Sequence, residues 1–265
     1  MKVHLALAAV ALTALLLTTT QLAGETSPAA APTAPSVSSQ VSSAEAPSSP
    51  AAAPSSARVY ASSSDLPDGP EFPVAGAGTF HVVPGEGPVV GTGPVRTYAV
   101  EVEDGIVADE QGFAAFVDAT LADPRGWTAR GQRSVKRVSG AASVRVRLTS
   151  QQTARAVCGF EIPVDVSCRD GNFVYLSAAR WVRGAVAFLP DLNAYRTYMV
   201  NHEVGHAFGQ GHQPCSVAGG PAPVMMQQTF SVANDEIVRI TNGVPQGAVI
   251  PQNGKVCTPN GWPYP

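Results

Sequence analysis

Charged residues of all kinds make up only 14% of this 265-residue chain, and three of its 17 basic residues are lysine (Lys2, Lys136, Lys255). The formal net charge is −3, so nothing draws the chain generally to a polyanion and no nucleic-acid partner is expected. Cysteine is sparse: four residues, at 158, 168, 215 and 257, with no C-x-x-C pair. That spacing removes the usual support for a thiolate metal site or a thioredoxin-like redox centre. No apolar run reaches the roughly 20 residues that a membrane span needs. The longest, residues 5–17, is interrupted only by Thr13. Histidine numbers five, and three of the five crowd into eleven residues.

What is present divides the chain unevenly. Residues 1–24 read as an export signal, with Lys2 ahead of the apolar run and Ala23 and Gly24 after it. An uncleaved N-terminal anchor is the alternative. Residues 25–70 are dominated by alanine, proline and serine and bury too little apolar surface to offset ordering entropy, so a disordered linker is expected there. Residues 71–265 form the expected globular domain, secreted or held in the cell envelope and monomeric. An even cysteine count in an exported chain argues for two disulfides. Three connectivities are open and the sequence does not choose among them; the expectation carried forward is Cys158–Cys168 and Cys215–Cys257.

Within the domain, residues 97–103 and 143–149 alternate apolar with polar side chains, as half-buried strands do. Between them, residues 109–122 set Phe113, Phe116, Val117 and Leu121 on one helical stripe, with Asp109 near its start. Strand, helix, strand at this spacing suits a crossover unit in a mixed sheet. Residues 173–177 form a further strand, and a long helix is expected over 192–208, capped by Asp191 or Asn193. Beyond Gly209 the chain is rich in Gly, Pro, Asn and Gln and reads as irregular. Eight basic and no acidic residues lie between Arg125 and Arg155. Contact with an anionic cell-envelope polymer is the functional reading, and a solvated basic face the plainer one.

The chemistry sits at residues 202–212, HEVGHAFGQGH, which fit H-E-x-x-H-x-x-G-x-x-H at every fixed position. Chance alone would give this match in about one chain in 10⁵. On a helix, residues i and i+4 stand one above the other, so His202 and His206 can offer imidazoles to one ion. Glu203, on the adjoining face, can reach a water at that ion without ligating it. A straight helix would carry residue 212 roughly 9 Å beyond residue 206. His212 reaches the ion only if the helix stops, and Gly209 is where a left-handed residue can end it. Three imidazoles leave a position open on zinc, the pattern of a catalytic site, with Glu203 as general base.

This motif resembles that of the metzincin clan of zinc endopeptidases. More closely, the chain is similar to exported actinobacterial proteins catalogued as a domain of unknown function, over roughly residues 75–265. The similarity rests on DPRGW at 123–127, the stretch 195–212, APVM at 222–225 and PNGWP at 259–263. The resemblance implies an α+β fold, with a mixed twisted sheet packed on helices, the motif helix under a cleft and an irregular C-terminal part. It further implies one catalytic Zn²⁺ and a protein or peptide substrate. It also implies a methionine-containing turn beneath the metal, for which Met225 is the candidate and Met226 the alternate. The strand before the motif helix would line the upper edge of the cleft, which assigns peptide docking to residues 173–177. One departure stands out: Gln227 and Gln228 occupy the place where some metzincins carry a transition-state tyrosine. Tyr198, one turn before His202, is better read as packing. A zinc hydrolase of another amide, such as cell-wall peptide, and a non-catalytic zinc-bearing envelope module are the rival readings.

Overall fold

Alternating side chains on the best strand segments build one sheet with an apolar face and a charged face. The computed structural model describes residues 59–159, 162–244 and 249–265. The expected signal at 1–24, and the expected linker as far as residue 58, lie outside the described residues. In chain order the elements are β1 (Phe80–Val82), β2 (Val90–Gly91), β3 (Val95–Glu103), α1 (Glu110–Ala122), β4 (Ser134–Arg137) and β5 (Val144–Thr149). There follow α2 (Gln151–Cys158), β6 (Cys168–Asp170), β7 (Phe173–Ser177), α3 (Ala178–Arg183), α4 (Leu192–Ala207) and α5 (Asn234–Ile240).

Among the described residues, seven strands form one mixed sheet in the order β2-β4-β3-β5-β7-β6, with β1 also paired to β3. Strands β4, β3, β5 and β7 run parallel, while β1, β2 and β6 run antiparallel to their neighbours. The β3–α1–β5 crossover is present, with β4 inserted in the return and paired to the other side of β3. Val144, Val146 and Leu148 of β5 are buried in the same core as Phe113, Val117 and Leu121 of α1 and Tyr195, Met199 and Val200 of α4. On the opposite face Arg145 and Arg147 both pair with the buried Glu101. Arg125, Arg137 and Arg155 hold Asp123, Asp118 and Asp165 in turn. Much of the basic run is thus paired within the domain, and for the buried guanidinium of Arg137 and the largely buried one of Arg147 desolvation makes a partner necessary.

Both predicted helix starts are capped by aspartate. Asp109 accepts from Gly112 N at 2.9 Å and Asp191 accepts from Ala194 N at 2.9 Å. Helix α4 is buried along nearly its whole length from Tyr195 to Gly205, on more than one side. A helix buried all round has cover on both faces. The sheet core covers one side, and the C-terminal segment lies against the other. That segment was expected to be irregular, yet it contains α5 and a second cluster around Cys215, Met226, Phe230, Ile237 and Cys257.

Two boundaries need correction. Residues 64–70, expected in the linker, belong to the fold. The fully buried Arg180 donates to the carbonyls of Ser64 at 2.6 Å and Asp65 at 3.0 Å, and Arg183 to that of Pro70 at 2.9 Å. The strand β7, expected at the rim of the cleft, lies inside the sheet: Tyr175 is paired to Arg147 on one side and Cys168 on the other. The antiparallel hairpin partner β6 takes the edge instead.

The disulfides are Cys158–Cys168 and Cys215–Cys257, as expected. Their loops span 10 and 42 residues. By loop entropy, replacing both cysteines of a pair with alanine should lower unfolding stability by about 3 and about 4 kcal/mol respectively. Urea unfolding of the two double variants checks this; an equal or reversed order would contradict it.

Candidate metal centre

Helix α4 ends where the third histidine must turn back. Phe208 N donates to Val204 O, Gly209 N to His206 O at 3.0 Å, and Gln210 N reaches across to Gly205 O at 3.0 Å. Gly209 holds φ at +82°, which a side chain would strain. Together these bonds make a Schellman stop, which satisfies the last helical carbonyls while reversing the chain. The reversal brings His212 beside His206, with their Nε2 atoms 3.2 Å apart.

The same turn orients the imidazoles. His206 Nδ1 lies 2.8 Å from Gln210 O, and His202 Nδ1 lies 2.9 Å from Val224 O. A carbonyl can only accept, so both Nδ1 atoms carry the proton and both Nε2 atoms present lone pairs when the rings are neutral. Yet those Nε2 atoms stand 3.2 Å apart, at the separation of a hydrogen bond with no proton to share. Burial pushes the pKa of all three rings down, His202 well below its ordinary value and His212 to about 4, so protonation does not relieve the contact. A shared cation does. Two nitrogens each about 2.0–2.1 Å from one tetrahedral ion stand about 3.3 Å apart. The three histidines form a group that could hold a metal ion.

Glu203 is buried beside them, and burial raises its carboxyl pKa to about 8. Among the described residues its Oε2 has no hydrogen-bond partner. A buried polar atom left without a partner is costly, and such costs concentrate where a ligand or a reaction will engage the group. Gln227 Oε1 is a second buried acceptor without a partner among the described residues. Both residues and the three histidines line a cleft of about 370 Å³, whose walls include Ile162, Val166 and Phe230.

Beneath the helix the packing is tight. A Cβ on Gly205 would meet Met225 Sδ at 2.5 Å and Trp127 Cζ2 at 2.6 Å. Met225 therefore lies directly against the motif helix, and its neighbour Val224 supplies the carbonyl that holds His202. Met226, the alternate candidate, instead enters the second cluster.

A family model for proteins of unknown function, DUF3152, matches residues 66–265. The chain belongs to the DUF3152 family. No curated protein and no solved structure matches it. The matched span opens close to Ser64 and Asp65, where the fold clasps its N-terminal strap, and runs to the last residue. The C-terminal end of this DUF3152 domain is indeed part of the site's support. Asn201 Nδ2 donates to Gly261 O at 2.9 Å, and Gln228 Nε2 to Asn260 O at 2.8 Å. Gly261 lies so close to α4 that a Cβ would fall 3.0 Å from Tyr198 N.

The structure thus brings together His202, Glu203, His206 and His212, with Gly209 at the bend and Met225 underneath. The four cysteines brace the periphery, and Cys158 and Cys168 reach the cleft wall. Tyr198 is packing: its hydroxyl donates to Met226 O at 3.0 Å and accepts from Gln228 N at 2.9 Å. Sequence reasoning missed the two anchoring carbonyls, the Trp127 support and the cleft side of β6. Backbone acceptors leave no mark in residue identity. Trp127 belonged to a stretch singled out only by resemblance; its Nε1 donates to Asn201 O at 2.9 Å.

Two outcomes follow for the DUF3152 site. Gly205→Ala should cost about 1–3 kcal/mol by overpacking and weaken metal binding although no ligand changes; thermal unfolding with and without metal measures both. A more stable variant, the usual result for Gly→Ala in a helix, would contradict the packing. Because the folded pKa values of the imidazoles are lowered, the neutral form that binds metal survives as pH falls through the ordinary histidine range. Followed by NMR on the metal-free protein, the His212 ring should therefore titrate with its midpoint at about 4. A midpoint near pH 6.5 would show unshifted histidines.

Proposed function

We propose that the chain is an exported zinc-dependent endopeptidase of metzincin type. The observation that carries this reading is the convergence of three imidazole Nε2 atoms beside the buried carboxyl group of Glu203, which is not among them. Imidazole donors suit zinc, and three of them with one free position are the donor set of a hydrolytic site. The helix stop at Gly209 and the contact of Met225 with Gly205 support kinship with the clan that the motif resembles. Two disulfides and the apolar leader support export.

Zinc would supply Lewis acidity, acidifying a water molecule and polarising a carbonyl. Glu203 would take the proton of the attacking water and pass it to the departing amine. A carboxyl raised by burial towards neutral pH is a better base than an exposed one, and the approach of a cation draws it back to the ionised form. His202 and His206 would stay in place through their Nδ1 bonds to Val224 and Gln210, which fix tautomer and ring plane. The Gln227 side chain lines the same cleft, and its buried Oε1, which has no partner among the described residues, would be available to the substrate's polar backbone. Extended peptide would lie along the edge strand β6 and pair with it through main-chain hydrogen bonds.

The test separates binding from chemistry. His206→Ala should lose zinc. Glu203→Gln should keep zinc and its fold while losing about 10²–10⁴ in rate. Zinc content of purified protein is measured alongside a cleavage screen on unfolded proteins and cell-wall peptides, with a chelator as control. Cleavage confined to cell-wall peptides would shift the reading to a hydrolase of that amide. A zinc-loaded wild type that cleaves nothing in either panel would favour a non-catalytic zinc module.

A further inference from the structure

The cleft contains a cation that the hydrolytic machinery leaves unused. Among the described residues lining it, Arg169 is the single Lys or Arg side chain. It sits in the edge strand β6, opposite Val174. Paired residues in a sheet share a face, and Val174 points into the core beneath α4. Arg169 therefore leans towards the motif helix rather than the outer face, and it lines the same cleft as His206.

The arginines on the neighbouring elements are engaged: Arg145, Arg147 and Arg155 each hold a carboxylate. Arg169 has none among the described residues. Its only side-chain hydrogen bond there runs from Nε to Gly171 O at 2.8 Å, across the two-residue turn into β7. That bond fixes the stem of an exposed residue and leaves both terminal nitrogens without a partner among the described residues. Two coplanar N–H donors match the two oxygens of a carboxylate, a fit that an ammonium lacks. The apolar walls at Ile162, Val166 and Phe230 offer no competing partner.

We infer that Arg169 is a specificity-determining residue that takes a carboxylate of the bound peptide, so that the preferred substrates are anionic peptides. This rests on the endopeptidase reading. The carboxylate could be a Glu or Asp side chain or a free C-terminus. Zinc-loaded full-length protein is given peptide pairs differing by Glu against Gln at single positions, and by free against amidated C-termini. The expected preference for the carboxylate is about tenfold or more in kcat/KM, carried mainly by KM. Arg169→Gln should abolish it, and Arg169→Glu should shift preference to the matching lysine peptide. Whichever pair shows the effect names the source. An Arg169→Gln variant that loses kcat equally on acidic and neutral peptides overturns the inference. Equilibrium binding of the same peptides to zinc-loaded Glu203→Gln separates the two readings. Carboxylate-selective binding with no cleavage by wild type sinks the endopeptidase and keeps the Arg169 site. Cleavage without charge preference sinks the Arg169 site alone, and neither binding nor cleavage sinks both.

Discussion

Two imidazole N–H groups donating to two backbone carbonyls, His202 to Val224 and His206 to Gln210, set the conditions for the rest of the molecule. They force lone pairs of neighbouring rings to face one another at 3.2 Å, an arrangement that is unfavourable by itself. A cation shared by the three rings would turn that arrangement into a favourable one, and the three histidines are a group that could hold it. Both carbonyls lie outside regular helix, and each has its own support. Gln210 is placed by the Schellman stop around Gly209. Val224 is placed by the turn that packs Met225 under Gly205.

The C-terminal part acts as a brace for that turn. The second disulfide closes onto the segment just after His212, and Asn234 holds Cys215 from both sides, accepting from its N–H and donating to its carbonyl. The last residues run along the back of α4, where Gly261 allows a close approach and Asn260 binds Gln228, Ala222 and Trp262. Arg125 lies 4.0 Å over the Trp262 ring. Helix α4 is thus clamped between a sheet on one side and largely irregular chain on the other, and its precision depends on both. Irregular backbone is usually the first to open, which explains why this side carries a covalent tie.

The strong periodic segments were legible. The β3, β5 and β7 strands and helices α1 and α4 were read to within about two residues, because their apolar spacing is long enough to separate period 2 from period 3.6. The short elements were not. Helices α2, α3 and α5 have 8, 6 and 7 residues, too few turns for a stripe to show, and β1, β2 and β6 have two or three residues each. That is also why β7 was placed at the sheet edge: the edge strand β6 was invisible. Arg145 and Arg147 read as one exposed basic face because their partner, Glu101, lies 44 and 46 residues away in sequence. In the site, the spacing of the three histidines and the need for a break at Gly209 followed from helix geometry alone. The carbonyls that fix the rings, and the approach of Met225 to Gly205, depend on contacts between distant segments that no local pattern encodes.

The centre itself can be read directly. X-ray absorption at the zinc edge, on full-length protein saturated with zinc and freed of excess, reports the count and type of ligand atoms. One zinc per chain is expected, with a first shell dominated by imidazole nitrogen, reduced in nitrogen by His212→Ala and unchanged by Glu203→Gln. Sub-stoichiometric metal, or a first shell with sulfur or with the Glu203 carboxylate as a ligand, would contradict it.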